Sequence, residues 1–95
     1  MAVGSAVQGV NFIQNGSYLN IQPTSPNEYL IQNIYAQCKC EIYFTNGTDY
    51  VLVEKLSPYK SLTNRRFRCT NLKYYAIKNV DDTGFYIAYD GVQVK

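Results

Sequence analysis

Along this chain, apolar residues recur in short runs rich in β-branched and aromatic side chains, and each run is closed by turn-forming residues. That pattern predicts strands rather than helices. The first run, Val3 to Ile13, is broken by Gly4 and Gly9 and is the least regular. Asn15-Gly16 is a two-residue turn signal, and Ser17 to Gln22 (SYLNIQ) follows as a strand. Pro23 to Asn27 (PTSPN) reads as a loop, because each proline lacks a donor and restricts the residue before it. Glu28 to Gln37 (EYLIQNIYAQ) places Leu30, Ile31, Ile34 and Tyr35 at helical spacing. Its β-branched and aromatic content and its neighbours favour a long strand, bulged near Gln32-Asn33.

Clean alternation follows in Cys38 to Phe44. Cys38, Cys40, Ile42 and Phe44 share one face, and Lys39, Glu41 and Tyr43 the other. Thr45-Asn46-Gly47-Thr48 is a hairpin turn in which Asn-Gly supplies positive φ, and Tyr50 to Lys55 (YVLVEK) returns as the partner strand. Leu56 to Asn64 reads as a surface connection. Arg65 to Thr70 (RRFRCT) is a strand with Phe67 and Cys69 opposite Arg66 and Arg68, and Lys73 to Val80 is another. Asp81 to Gly84 turns the chain, Phe85 to Tyr89 comes back, and Asp90-Gly91 bends it before a terminal edge segment, Val92 to Val94. About eight strands at spacings of roughly 8–12 residues predict an all-β fold. The expected architecture is a single antiparallel β-sandwich of jelly-roll-like or Ig-like topology. It spans residues 1–95 as one domain, with 1–12 an N-terminal arm or an edge strand.

Composition narrows the chemistry. The chain of 95 residues contains no histidine, so it supplies no His-based triad, Cys–His pair or His-ligated metal. Seven carboxylates show no glycosidase pairing, and Asp81 and Asp82 sit in a turn where aspartate is a turn former. No phosphate-cradling loop or nucleophile elbow occurs. The expectation is a protein that is not an enzyme and takes no cofactor. Cys38, Cys40 and Cys69 are an odd number and cannot close a disulfide framework within one chain. They read either as thiolate ligands lacking a fourth partner or as small buried hydrophobes of a reducing compartment. Met1 to Val10 carries no lysine or arginine and lacks the basic region of a secretory signal. No apolar run approaches the roughly 20 residues of a membrane-spanning helix.

The surface is unusual in kind. Charged residues are 17% of the chain, against roughly 25% in ordinary soluble domains, and ten tyrosines accompany many neutral amides. A small core takes some of these tyrosines, and the surplus suits interfaces. Arg65, Arg66 and Arg68 form the local positive concentration. It reads as a contact for phosphate or an acidic partner surface, or as a solvated strand face. With Tyr59 and Tyr74 they are the candidate interface residues. A net charge of +2 is mild for a nucleic-acid footprint.

The stretches GSYLNIQP (16–23), EYLIQNIY (28–35), EIYFTNGTDYVLV (41–53), YYAIKNV (74–80) and IAYDGVQVK (87–95) together resemble small β-sandwich proteins encoded among the virion structural genes of tailed bacteriophages. The resemblance implies a non-enzymatic capsid auxiliary or decoration protein. Such a protein is multimeric, docks on the major capsid protein or other virion subunits, and is assembled in the host cytoplasm into the virion. Two other readings stay open: a carbohydrate- or receptor-binding sandwich module, and a small single-strand nucleic-acid-binding barrel that would stack bases on Tyr74 and Tyr75.

Overall fold

A computed structural model of the chain describes residues 3–95. The strands are β1 (Ala6–Ile13), β2 (Tyr18–Ile21), β3 (Tyr29–Ala36), β4 (Cys40–Thr45), β5 (Tyr50–Leu56), β6 (Lys60–Leu62), β7 (Phe67–Cys69), β8 (Tyr74–Asn79) and β9 (Phe85–Gln93). All pairing is antiparallel. One sheet runs β1-β9-β3-β6, with β7 also on β3, and the other runs β2-β8-β4-β5. This interleaved order, in which the chain crosses repeatedly from one sheet to the other, is that of a jelly roll. Of the two expected topologies, the structure adopts this one.

Six isoleucines from five strands fill the interior: Ile21, Ile31, Ile34, Ile42, Ile77 and Ile87 are each 2% exposed or less. Branched side chains pack well on a pleated surface, which makes them suited to the seam between two sheets. Val7, Leu19, Phe67 and the three cysteines are among the other residues of the core.

Two bulges set which residues face it. In β3 the register with β9 slips between Ile31 and Asn33, so Gln32 is the extra residue. An uninterrupted strand would put Ile31, Asn33 and Tyr35 on one face. The bulge instead turns Ile31, Ile34 and Ala36 inward and leaves Gln32 and Tyr35 outside. It also splits the neighbouring strand in two. β6 pairs with the far half of β3 and β7 with the near half. Between them, Asn64 at φ 56° donates its N–H to Asn33 Oδ1 (3.2 Å) and Arg65 donates its own to the Gln32 carbonyl (2.9 Å). The second bulge lies in β5, where Ile42 faces Glu54 but Tyr43 faces Leu52, leaving Val53 as the extra residue.

Several sequence expectations are corrected. Leu56 to Asn64 is not wholly a connection, since Lys60–Leu62 is β6. Asp90-Gly91 does not bend the chain. β9 runs straight through it and is an interior strand between β1 and β3 rather than a return followed by an edge segment. The Asn15-Gly16 turn is as expected, with Gly16 at φ 79°, and it carries the chain from one sheet to the other. The 45–49 turn is as expected: Gly47 takes φ 94° and Asn46 Oδ1 accepts from the N–H groups of Thr48 and Asp49. At the amino end, Ala6–Ile13 is an edge strand hydrogen-bonded along its length to β9 of the same chain, and residues 1–2 of the expected arm lie outside the described residues.

Candidate functional site

The arginines flank and occupy β7, whose alternation buries Phe67 and Cys69 and leaves Arg68 outside. Arg65 forks onto Glu54 of β5, with Nη1 at 3.0 Å from Oε1 and Nη2 at 3.4 Å from Oε2. Arg68 donates from Nε (3.1 Å) and Nη2 (2.6 Å) to Glu28 Oε1, and Lys95 Nζ lies 3.8 Å from Oε2 of the same carboxylate. Arg66, exposed, carries no ion pair or hydrogen bond among the described residues. The basic cluster is thus internally balanced at two of its three members.

Tyr74 corrects the sequence reading. It is 6% exposed and belongs to the core: it pairs with Thr45 of β4, and its hydroxyl lies under the 45–49 turn at Gly47. It is not available to a partner. Tyr59 is the opposite case: 77% exposed, at φ 58° in the turn before β6, and on the far side of the sandwich from Tyr18.

Most of the exposed apolar residues gather in two places. The first is the edge of the four-stranded sheet, where Tyr50, Val51, Leu52 and Val53 are 41, 62, 44 and 47% exposed in succession. β5 pairs with β4 on one side and with no strand on the other. Beside it Tyr18, Tyr43 and Tyr50 form a cluster with ring centroids 5.2 to 6.2 Å apart, and Lys78 Nζ sits 5.7 Å over the Tyr18 ring. Tyr43 donates to Glu41 (2.5 Å), which pushes the phenol up to about 12 and keeps it a donor. The second place is the outer face of the five-stranded sheet, around Val10, Phe12, Tyr35 and Tyr86. Neither was singled out in the sequence. The signal for the first was present in Tyr50-Val51-Leu52-Val53, an apolar run that fails to alternate and therefore cannot hide every member in one core.

The three thiols are fully buried and free. Burial pushes Cys40 up to about 12 and Cys69 up to about 11, and raises Cys38 as well. Burial thus favours the protonated thiol, the form of a small buried hydrophobe. Among the described residues, no three Cys, Asp or Glu side chains come together as a metal-holding group, and no helix is long and apolar enough to cross a membrane.

Two carboxyls are held low. Arg68 hydrogen-bonding lowers Glu28, and the backbone N–H groups of Lys39 and Asp82 lower Asp81. A carboxyl depressed by folding stabilises the fold fully above its unfolded value, and that contribution disappears as pH falls through the folded one. Thermal stability should therefore be flat in pH above the ordinary values of 4.5 and 3.8 and decline below them. Arg68→Ala should weaken the Glu28 share of that decline. Melting curves taken between pH 7 and pH 3 check both points.

The fold and these surfaces define a two-sheet jelly roll whose exposed features are apolar and aromatic. No protein-family model and no curated protein matches the chain.

Proposed function

We propose that this chain is a non-enzymatic structural protein that works by packing against other protein subunits, as a capsid auxiliary or decoration component of a bacteriophage virion. The observation that carries this reading is the β5 edge. A long, free, apolar edge strand is a template for association, and proteins that work as monomers blunt such edges with charge or cover them. Here the Val53 bulge and the charges of Glu54 and Lys55 blunt one end alone, and at the other Val51 and Leu52 stand exposed beside the Tyr18, Tyr43 and Tyr50 cluster. Tyrosine is enriched at protein interfaces, and jelly rolls recur in capsid domains, which supports the class of partner by analogy of fold. The sequence resemblance supplies the virion context, with the major capsid protein or further copies of this chain as the neighbours.

The nucleic-acid reading loses its footing in the geometry, because Arg65 and Arg68 are engaged by carboxylates and Tyr74 is buried. The solution mass and co-purification with particles test the proposal. The wild-type chain should run as an oligomer or be retained on particles, and Leu52→Lys should lower the apparent mass or release it without lowering the melting temperature. A strictly monomeric protein that is absent from particles would sink the idea.

A further inference from the structure

The outer face of the five-stranded sheet is built in three parallel rows fixed by register. Phe12 and Tyr86 stand opposite each other in the first. Val10, Ala88, Tyr35 and Ser61 form the second, and Gln8, Asp90 and Asn33 the third. The first row is aromatic, the second is low because Ala88 stands between larger neighbours, and the third is polar. The surface dips along the middle row into two adjoining hollows of about 350 and 520 Å³, which share Val10, Tyr35 and Ala88. Tyr59, Gln37 and Tyr86 wall one of them, and Gln8 and Asp90 the other.

One ring of this groove, Tyr35, is pinned by the chain itself. Tyr35 donates its hydroxyl to Asp90 Oδ2 (3.0 Å), Asn33 donates to Asp90 Oδ1 (2.6 Å), and the Asn64 N–H fixes Asn33 in turn. Phe12 meets Tyr86 edge-on, with centroids 5.2 Å apart and planes at 70°. The Gln37 Oε1 accepts from the Tyr86 N–H (3.3 Å).

We propose that this groove binds a neutral oligosaccharide. A pyranose ring has an apolar C–H face and a rim of hydroxyls. The exposed faces of Tyr35, Tyr59 and Tyr86 match the first, and the amide and carboxylate oxygens of Gln8, Gln37 and Asp90 match the second. The charged side chains lining the two hollows are Lys60 at one end and Asp90 at the other, so the groove selects neither an anion nor a cation. The Tyr35 ring, already fixed, loses little freedom when a ligand arrives, and that favours a weakly hydrophobic ligand such as a sugar. The groove lies on the sheet opposite β5, so the assignment stands whether or not β5 is an assembly surface.

The test uses the full chain, ¹⁵N-labelled, titrated with maltohexaose, cellohexaose and chitohexaose and displayed against an array of bacterial surface polysaccharides. At least one glycan should bind and shift the amide signals of Val10, Tyr35 and Ala88. Tyr86→Ala, which removes a platform, and Ala88→Phe, which fills the dip, should each weaken that binding by about tenfold or more. Both side chains lie on the solvent side of the sheet, so melting temperatures should stay near the parent's. A folded parent that binds none of these glycans overturns the proposal, as does binding that both variants leave intact. If Ala88→Phe instead converts an oligomer to a monomer, the face belongs to self-assembly and the proposal also falls.

Discussion

Gly91→Ala is expected to be among the most damaging single substitutions in this protein, at a cost of roughly 3 kcal/mol or more. Gly91 lies inside β9, opposite Val7 of β1 and Ile31 of β3, where the Gln32 bulge crowds the chains. A Cβ there would collide with the Leu30 carbonyl oxygen and stand 2.8 Å from the Ile31 Cα and 2.9 Å from the Leu30 carbonyl carbon. These are backbone atoms of a paired strand, so the neighbour cannot rotate away as a side chain would. For a domain of this size, 1 kcal/mol moves the melting point by about 4–8 °C, so the midpoint should fall by more than about 12 °C. Gly84→Ala is the control. Its Cβ would meet the ring of Phe12 at 2.6 and 2.7 Å, and a half-exposed ring can swing aside. Its loss should be clearly smaller. Melting curves of both variants at one pH decide the matter, and equal losses would show that the β3–β9 spacing adapts.

The second large effect is expected at Asn79, a fully buried amide at the end of β8 that ties the two sheets together. Its Nδ2 donates to the carbonyls of Ile13 and Thr83, both at 2.9 Å, and its Oδ1 accepts from the Asp81 N–H at 2.8 Å. Every side-chain atom able to bond is thus employed, across β1, β8 and the 81–84 turn. Asn79→Ala leaves buried groups without partners at about 1–3 kcal/mol for a full desolvation penalty. Asn79→Asp should be worse at pH 7, because a carboxylate would face two carbonyl oxygens with no proton to give. Burial raises the pKa of the introduced carboxyl, and below that raised value its protonated form regains one donor. The gap in melting temperature between Asn79→Asp and Asn79→Ala should therefore narrow from pH 7 to pH 4. A gap independent of pH would show that water enters and supplies the missing donor.

How much of this was legible beforehand depends on the range over which each feature is decided. The 45–49 hairpin was readable because Asn46 and Gly47 encode it locally, through an acceptor side chain and a φ of 94°. The bulge in β3 left a trace that looked helical: Ile31 and Ile34 are three apart because an extra residue, Gln32, has been inserted between two inward positions. Alternation read on its own could not separate that from a helix, and β-branched content did. Asp90-Gly91 looked like a turn because glycine usually marks one, whereas here it answers the close approach of another strand. Tyr74 could not be placed either, since its burial depends on pairing with Thr45 and on the 45–49 turn, which are distant in sequence.

The same division holds for the surfaces. Arg65, Arg66 and Arg68 were visible as a cluster, but their partners Glu54, on another strand, and Glu28, 40 residues from Arg68, meet them only when β5, β7 and the 23–28 loop converge. The groove around Ala88 has no linear motif at all, because its rows run across strands that are distant from one another in sequence. By itself the sequence determined the strand content, the turn at Gly47, the inward face of the alternating runs at 40–44 and 67–69 and the lack of histidine chemistry, all of which rest on local conformational preference and side-chain type. The pairing order of the two sheets, the passage of β9 through Gly91, the closure of Arg65 and Arg68 by carboxylates and the exposure of the β5 edge were decided by the tertiary structure. Those depend on which strands lie side by side, and that is set by long-range burial rather than by any one segment.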